Sequence, residues 1–164
     1  MYSKFVALLL GLAITLAGCS AHHKAEYTPP AQDITPGATF TVTRDFLIPS
    51  GDSSVYFQDT KLYPQGDIQN DDPVCQFVLN AATAAGQVIS SRVFAVSNVS
   101  YDENGVGPRG KDATVTVIQL QDTSSGETVS LKCMLPLMSH GARPVTRAEI
   151  QGALGDYMDL KLAP

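Results

Sequence analysis

From Ala38 onward, apolar side chains recur at every second position. Phe40, Val42, Phe46 and Ile48 share one parity, with Thr39, Thr41, Thr43 and Asp45 on the other. That alternation predicts a half-buried strand, interrupted on its apolar face by Arg44. Pro49-Ser50-Gly51-Asp52 turns the chain, and Val55 and Phe57 open a second short strand. Leu62 to Pro73 holds Pro64, Gly66, Asp67, Asp71 and Asp72 and reads as loop. Val74 to Leu79 predicts a third strand, with Cys75, Phe77 and Leu79 on one face. Asn80 to Gly86 is alanine-rich and fits either one helical turn or a loop. Val88 to Tyr101 is extended and longer than an ordinary strand, which predicts a bend or bulge inside it. Asp102 to Asp112, with Asn104-Gly105, Gly107-Pro108 and Gly110, reads as loop. Thr114 to Gln121 and Thr128 to Leu137 are two strong strands, joined as a hairpin by Thr123-Ser124-Ser125-Gly126.

The period changes only near the end. Thr146-Arg147-Ala148-Glu149 fits a capping box, in which the threonine hydroxyl accepts an amide of the first turn and the glutamate reaches back. Val145 and Ile150 sit where a hydrophobic staple would clamp that turn, and Gly155 suits the position just past a helix of about two turns. Ile150 and Leu154 would face the sheet. The pattern predicts a mainly β domain over residues 38–164, an antiparallel β-sandwich or small barrel with a short C-terminal helix.

Ahead of that domain the pattern is of another kind. Lys4 precedes an apolar run from Phe5 to Thr15, which is signal-peptide length and short of the ~20 residues of a spanning helix. Leu16-Ala17-Gly18-Cys19 follows and matches a lipobox, so the N-terminus resembles that of bacterial lipoproteins. The resemblance implies a signal peptide over residues 1–18, cleavage before Cys19 and acylation of Cys19. Two or three acyl chains hold a protein to a bilayer where one binds only marginally. Ser20 in place of an aspartate implies the outer membrane with the domain facing the periplasm, with the inner membrane and the cell surface as alternatives. Residues 19–37, with Pro29-Pro30 and few large apolar side chains, read as a lipidated tether. His22 and His23 in it read as solvated; the alternative is a metal-binding pair.

The whole chain has 164 residues, net charge −5 and three cysteines. A mildly acidic chain with no basic block argues against nucleic acid as a partner. With Cys19 lipidated, Cys75 and Cys133 are left in an oxidising compartment. Each lies at the core parity of its strand, which predicts a Cys75–Cys133 disulfide. A metal pair or a redox-active pair competes with that reading, but no Cys-x-x-Cys spacing and no neighbouring histidine supports either; two separate buried thiols are the remaining alternative. Phe46-Leu47-Ile48-Pro49-Ser50-Gly51, Val55-Tyr56-Phe57-Gln58, the two cysteines and the helix ending near Gly155 are similar to small uncharacterised proteobacterial lipoproteins, a resemblance that carries no activity.

Catalytic motifs are scarce. There is no Gly-x-Ser-x-Gly elbow, Walker loop or His-Glu-x-x-His. His140 is the domain's one histidine and the one candidate imidazole base; in its loop it reads as solvated. Asp67, Gln69, Asp71 and Asp72 only loosely resemble the start of a calcium loop and read as an acidic solvated segment. Arg44 is expected to snorkel to the sheet edge, with pairing to a buried carboxylate such as Asp45 or one further away, or a ligand-binding role, as alternatives. The function that follows is a non-enzymatic envelope lipoprotein with no cofactor and no metal. Its partners would be the bilayer, through acylated Cys19, and an envelope protein or polymer. A lysozyme inhibitor belongs to the same class, though no inhibitory motif can be placed. The alternative class is a small periplasmic hydrolase or metal-assisted enzyme. A cleft with converging catalytic groups would favour the enzyme; an exposed edge or apolar patch would favour the binding module.

Overall fold

The computed structural model describes residues 34–64, 67–69 and 71–164. The signal segment, Cys19, His22, His23 and most of the tether lie outside the described residues. The elements are β1 (Thr39–Val42), β2 (Phe46–Ile48), β3 (Ser54–Gln58), β4 (Lys61–Tyr63), β5 (Val74–Val78), β6 (Gln87–Ile89), β7 (Val93–Val106), β8 (Asp112–Asp122), β9 (Thr128–Pro136), α1 (Leu137–His140), α2 (Arg147–Leu154) and β10 (Met158–Lys161). Eight strands form a curled antiparallel sheet in the order β10-β1-β7-β8-β9-β5-β3-β4, and β2 and β6 form a separate two-stranded ribbon. The fold is thus mainly β with a short helix near the C-terminus. Among the described residues no helix is long and apolar enough to cross a membrane.

The alternation seen in the sequence builds one large core. Phe40, Val42, Phe94, Val96, Ile118, Leu120, Leu131, Cys133, Leu135, Phe77 and Phe57 are buried on one face of the sheet. The ribbon lays Phe46, Ile48 and Ile89 onto that face, and α2 adds Ile150, Ala153 and Leu154. Phe46 stands edge-on to Phe57 and Phe77, with ring centroids 5.1 and 5.3 Å away, the geometry aromatic quadrupoles favour. Cys75 and Cys133 are directly opposite each other on β5 and β9, fully buried, and joined as a disulfide across a Cα–Cα distance of 4.0 Å.

Several expected boundaries move. The strand expected to run from Ala38 through Ile48 breaks at Thr43–Asp45 into β1 and β2, which belong to different sheets. Arg44 explains the break, because its guanidinium cannot enter the apolar face its parity assigns. Instead the main-chain amides of Thr43 and Arg44 both donate to the Tyr157 carbonyl, and the chain crosses to the ribbon. Val88 to Tyr101 breaks likewise into β6 and β7, with Ser91 at φ 41° between them, and β7 shifts register again at Val96/Asn98. Asp102 to Val106, expected as loop, continues β7 through a second irregularity at Asp102/Gly105; only Gly107 to Lys111, with a 3-10 turn at Pro108–Gly110, remains outside the strands. Asn80 to Gly86 contains no helix. Within Leu62 to Pro73, Leu62 and Tyr63 belong to β4. The sequence pattern did not reveal α1 or β10.

The same stretch is not simply solvated. Tyr56, Val74, Ala113, Val115 and Met134 form a second, smaller apolar cluster, and Ile68 is buried in it. Gln58, fully buried, holds this segment: its Nε2 donates to the carbonyls of Gln69 and Asp72, and its Oε1 accepts from the Gln69 amide at 2.7 Å. The acidic side chains of Asp67, Asp71 and Asp72 stay exposed while the backbone of Gln69 and Asp72 is strapped to the sheet through Gln58.

Candidate functional site

α1 brings Ser139 and His140 to the strap, against Asp71. His140 Nε2 lies 3.0 Å from the Asp71 carbonyl oxygen, and Ser139 Oγ donates to the Asp71 carboxylate at 3.4 Å. This is not a nucleophile–base–orienter chain. The serine meets the carboxylate directly, and the imidazole nitrogen that would take its proton is held by a main-chain carbonyl. The contacts fasten the strap to α1. Among the described residues no three His, Cys, Asp or Glu side chains gather in a way that could hold a metal ion.

Arg44 sits at the corner between the sheets, exposed. Its guanidinium carbon lies 4.6 Å from the centre of the Tyr157 ring, and Nη1 is 3.4 Å from the Asp156 carboxylate. Its carboxylate is therefore Asp156, one further away than Asp45, and it is exposed rather than buried. The pair is a corner clasp between the β1–β2 crossing and the turn after α2.

A groove of about 320 Å³ opens between the ribbon and the β3–β4 hairpin. Leu47 and Pro49 line it from β2 and the turn that follows. Val55, Tyr56, Leu62, Tyr63 and Pro64 line it from the hairpin. Asp52 and Ser54 supply the polar side chains, besides the two phenols. That volume and a mostly apolar lining with a few polar groups are typical of binding sites. Tyr56 and Tyr63 are cross-strand partners, so their rings share one face of the hairpin. Burial pushes the Tyr56 phenol above its ordinary pKa, which keeps it protonated. Ser54 Oγ accepts from Gln76 Nε2 at 2.9 Å.

The ribbon is apolar on both faces. Phe46, Ile48 and Ile89 are buried, yet Leu47 and its cross-strand partner Val88 are 54 % and 56 % exposed on the other face. An exposed apolar pair continuous with a groove is informative where a lone exposed leucine is not. None of the groove residues was singled out as a site from the sequence. A signal was present: Phe46-Leu47-Ile48 and Val88-Ile89 are unbroken apolar runs, which place apolar side chains on both faces of a short strand. Of the residues that were singled out, Cys75 and Cys133 meet as a disulfide; His140, Arg44 and the strap aspartates lie outside the groove's described lining. Compared with known proteins, the chain matches no family model, no curated protein and no solved structure.

Proposed function

We propose that the protein is a lipid-anchored lipoprotein of the bacterial outer membrane whose β domain is a non-enzymatic binding module, taking an envelope protein or polymer at the groove between the ribbon and the β3–β4 hairpin. The observation that carries the binding reading is the outward Leu47–Val88 pair beside that groove. Full burial of such a side chain is worth roughly 1.5–3 kcal/mol, and with about half of each still in water roughly 1 kcal/mol each is left for a partner to supply. Leu16-Ala17-Gly18-Cys19 and the apolar run before it support the anchor, and Ser20 supports the outer membrane. The arrangement of Ser139, His140 and Asp71 gives hydrolysis no support.

Two measurements in living cells test the two halves. A photo-crosslinking residue placed at Leu47 or Val88 should trap a defined partner, and one at exposed Glu103 should not; the reverse pattern overturns the groove. Cys19→Ser should leave the precursor unprocessed and abolish labelling by a palmitate analogue. Persistent labelling overturns the anchor.

A further inference from the structure

We propose that the groove takes the basic side chain of an extended peptide segment, an arginine or lysine flanked by apolar residues, supplied by the partner protein; this rests on the binding-module reading and gives the partner its chemistry. Asp52 is exposed and is the charged side chain among the described residues lining the groove. None of the ion pairs among the described residues uses it; they join Arg44 to Asp156, Arg92 to Asp122 and Glu127, and Arg143 to Glu149. Tyr63, half-buried, offers an aromatic ring in the same groove. A carboxylate and a tyrosine ring together suit a cation. The molecule already holds one this way: Arg44 lies over the Tyr157 ring at 4.6 Å with the Asp156 carboxylate at 3.4 Å. The groove repeats these two partner types with no cation among its described lining residues. The chain's net charge of −5 favours a basic ligand over an acidic one at longer range as well.

The flanking side chains follow from the walls. An extended segment points alternate side chains to opposite sides, so a basic residue reaching Asp52 has apolar neighbours against Leu47 and Leu62. A glycan suits the groove less well. Sugars need several polar partners beside a stacking ring, whereas Tyr56 is only 8 % exposed, Tyr63 is half-buried, and aliphatic side chains and prolines make up most of the lining.

The test uses the full chain in detergent micelles and three fluorescein-labelled peptides, acetylated and amidated: Val-Arg-Val-Arg-Val, its Gln counterpart and its Glu counterpart. Anisotropy should show the Arg peptide binding about tenfold more tightly than the Gln peptide, with the advantage shrinking in salt. Asp52→Asn and Tyr63→Ala should each bring the Arg peptide close to the Gln peptide. Asp52→Lys, a change at an exposed site, should reverse the preference toward the Glu peptide. Equal binding of all three peptides, an unchanged preference in Asp52→Lys, or binding only of soluble peptidoglycan fragments would overturn the proposal. If no peptide binds while crosslinks from Leu47 persist, the basic-peptide proposal falls and the binding module stands. If the crosslinks are absent too, both fall.

Discussion

At the scale of single residues, the molecule depends on a few positions where backbone and side chain are held from several directions. Gly155 ends α2 at φ 59°, and a Cβ there would lie 2.5 Å from Thr60 Cβ. Thr60 is itself at φ 65°, an unusual conformation for a β-branched residue, and its amide donates to the Ala153 carbonyl. The helix end and the β3–β4 turn therefore interlock. Gly155→Ala should lose about 3 kcal/mol, read as a lower urea midpoint with an unchanged slope. Glu149 is held at least as firmly. Arg143 donates to both carboxylate oxygens, and the Thr146 amide and hydroxyl add two more bonds. The Arg143 hydrogen bonds, against an opposing desolvation effect, bring its pKa from 4.5 to about 2. A depressed pKa stabilises the fold above the unfolded value and loses that contribution as pH falls through the folded one. Stability should therefore drop between about pH 4.5 and pH 2, by on the order of 2–3 kcal/mol from this residue. Asp122, lowered to about 2 chiefly by the Ser124 hydroxyl, adds a loss of the same sign. In Glu149→Gln the acid limb of a Tm-against-pH curve should be shallower but not flat, because Asp122 remains.

At the scale of elements, the main question is how the sheet ends. β10 pairs with β1 through the Tyr157 carbonyl and alternate residues beyond it, which turns the Met158 carbonyl and the Leu160 amide outward. Both outward groups are taken by one side chain of α2. Gln151 Nε2 donates to the Met158 carbonyl at 2.9 Å, and its Oε1 accepts from the Leu160 amide at 3.2 Å. The amide group occupies the place a further strand would take, and a covered edge does not recruit another chain. Gln151→Leu keeps the bulk and leaves both backbone groups unpaired, a loss of roughly 1–3 kcal/mol. Hydrogen exchange should show the Leu160 amide opening far sooner than in the parent; equal protection would mean that packing of α2 alone covers the edge.

At the scale of the whole molecule, the Cys75–Cys133 bridge joins neighbouring strands in the middle of the sheet across a sequence separation of 58. Its contribution lies mostly in the unfolded chain, whose closed loop has less entropy to gain, about 4 kcal/mol by the chain-closure relation. The double variant Cys75→Ala, Cys133→Ala should therefore keep its circular dichroism spectrum and unfold at a markedly lower urea concentration. The bridge spans the sequence from β5 to β9, so it holds β7 and β8 within one loop. The groove lies where β3 and β4 meet a ribbon that is not hydrogen-bonded to them as a sheet.

What the sequence determined by itself was everything carried by near neighbours. Period-two alternation marked β5, β8 and β9, the Thr123–Gly126 turn joined the last two, and Thr146 with Glu149 specified the start of α2 through a capping box that the structure contains. The cysteine parity was legible for the same reason, since a strand's inward face is set by its own backbone. Alternation does not say which strand lies beside which. Met158 and Leu160 alternate with Asp159 and Lys161 clearly enough, but a strand so short is stable only against β1, at the other end of the domain. Arg44 was visible as a charge on an apolar face; its partners Tyr157 and Asp156 come from that same distant turn, and only their arrival converts a continuous strand into two. The strap was read as solvated because its aspartates are, while Gln58 and the pocket for Ile68 are supplied by other strands. The groove was least legible of all. Each of its residues obeys a local rule in its own element, and the site exists only because the curl of the sheet brings the hairpin against the ribbon.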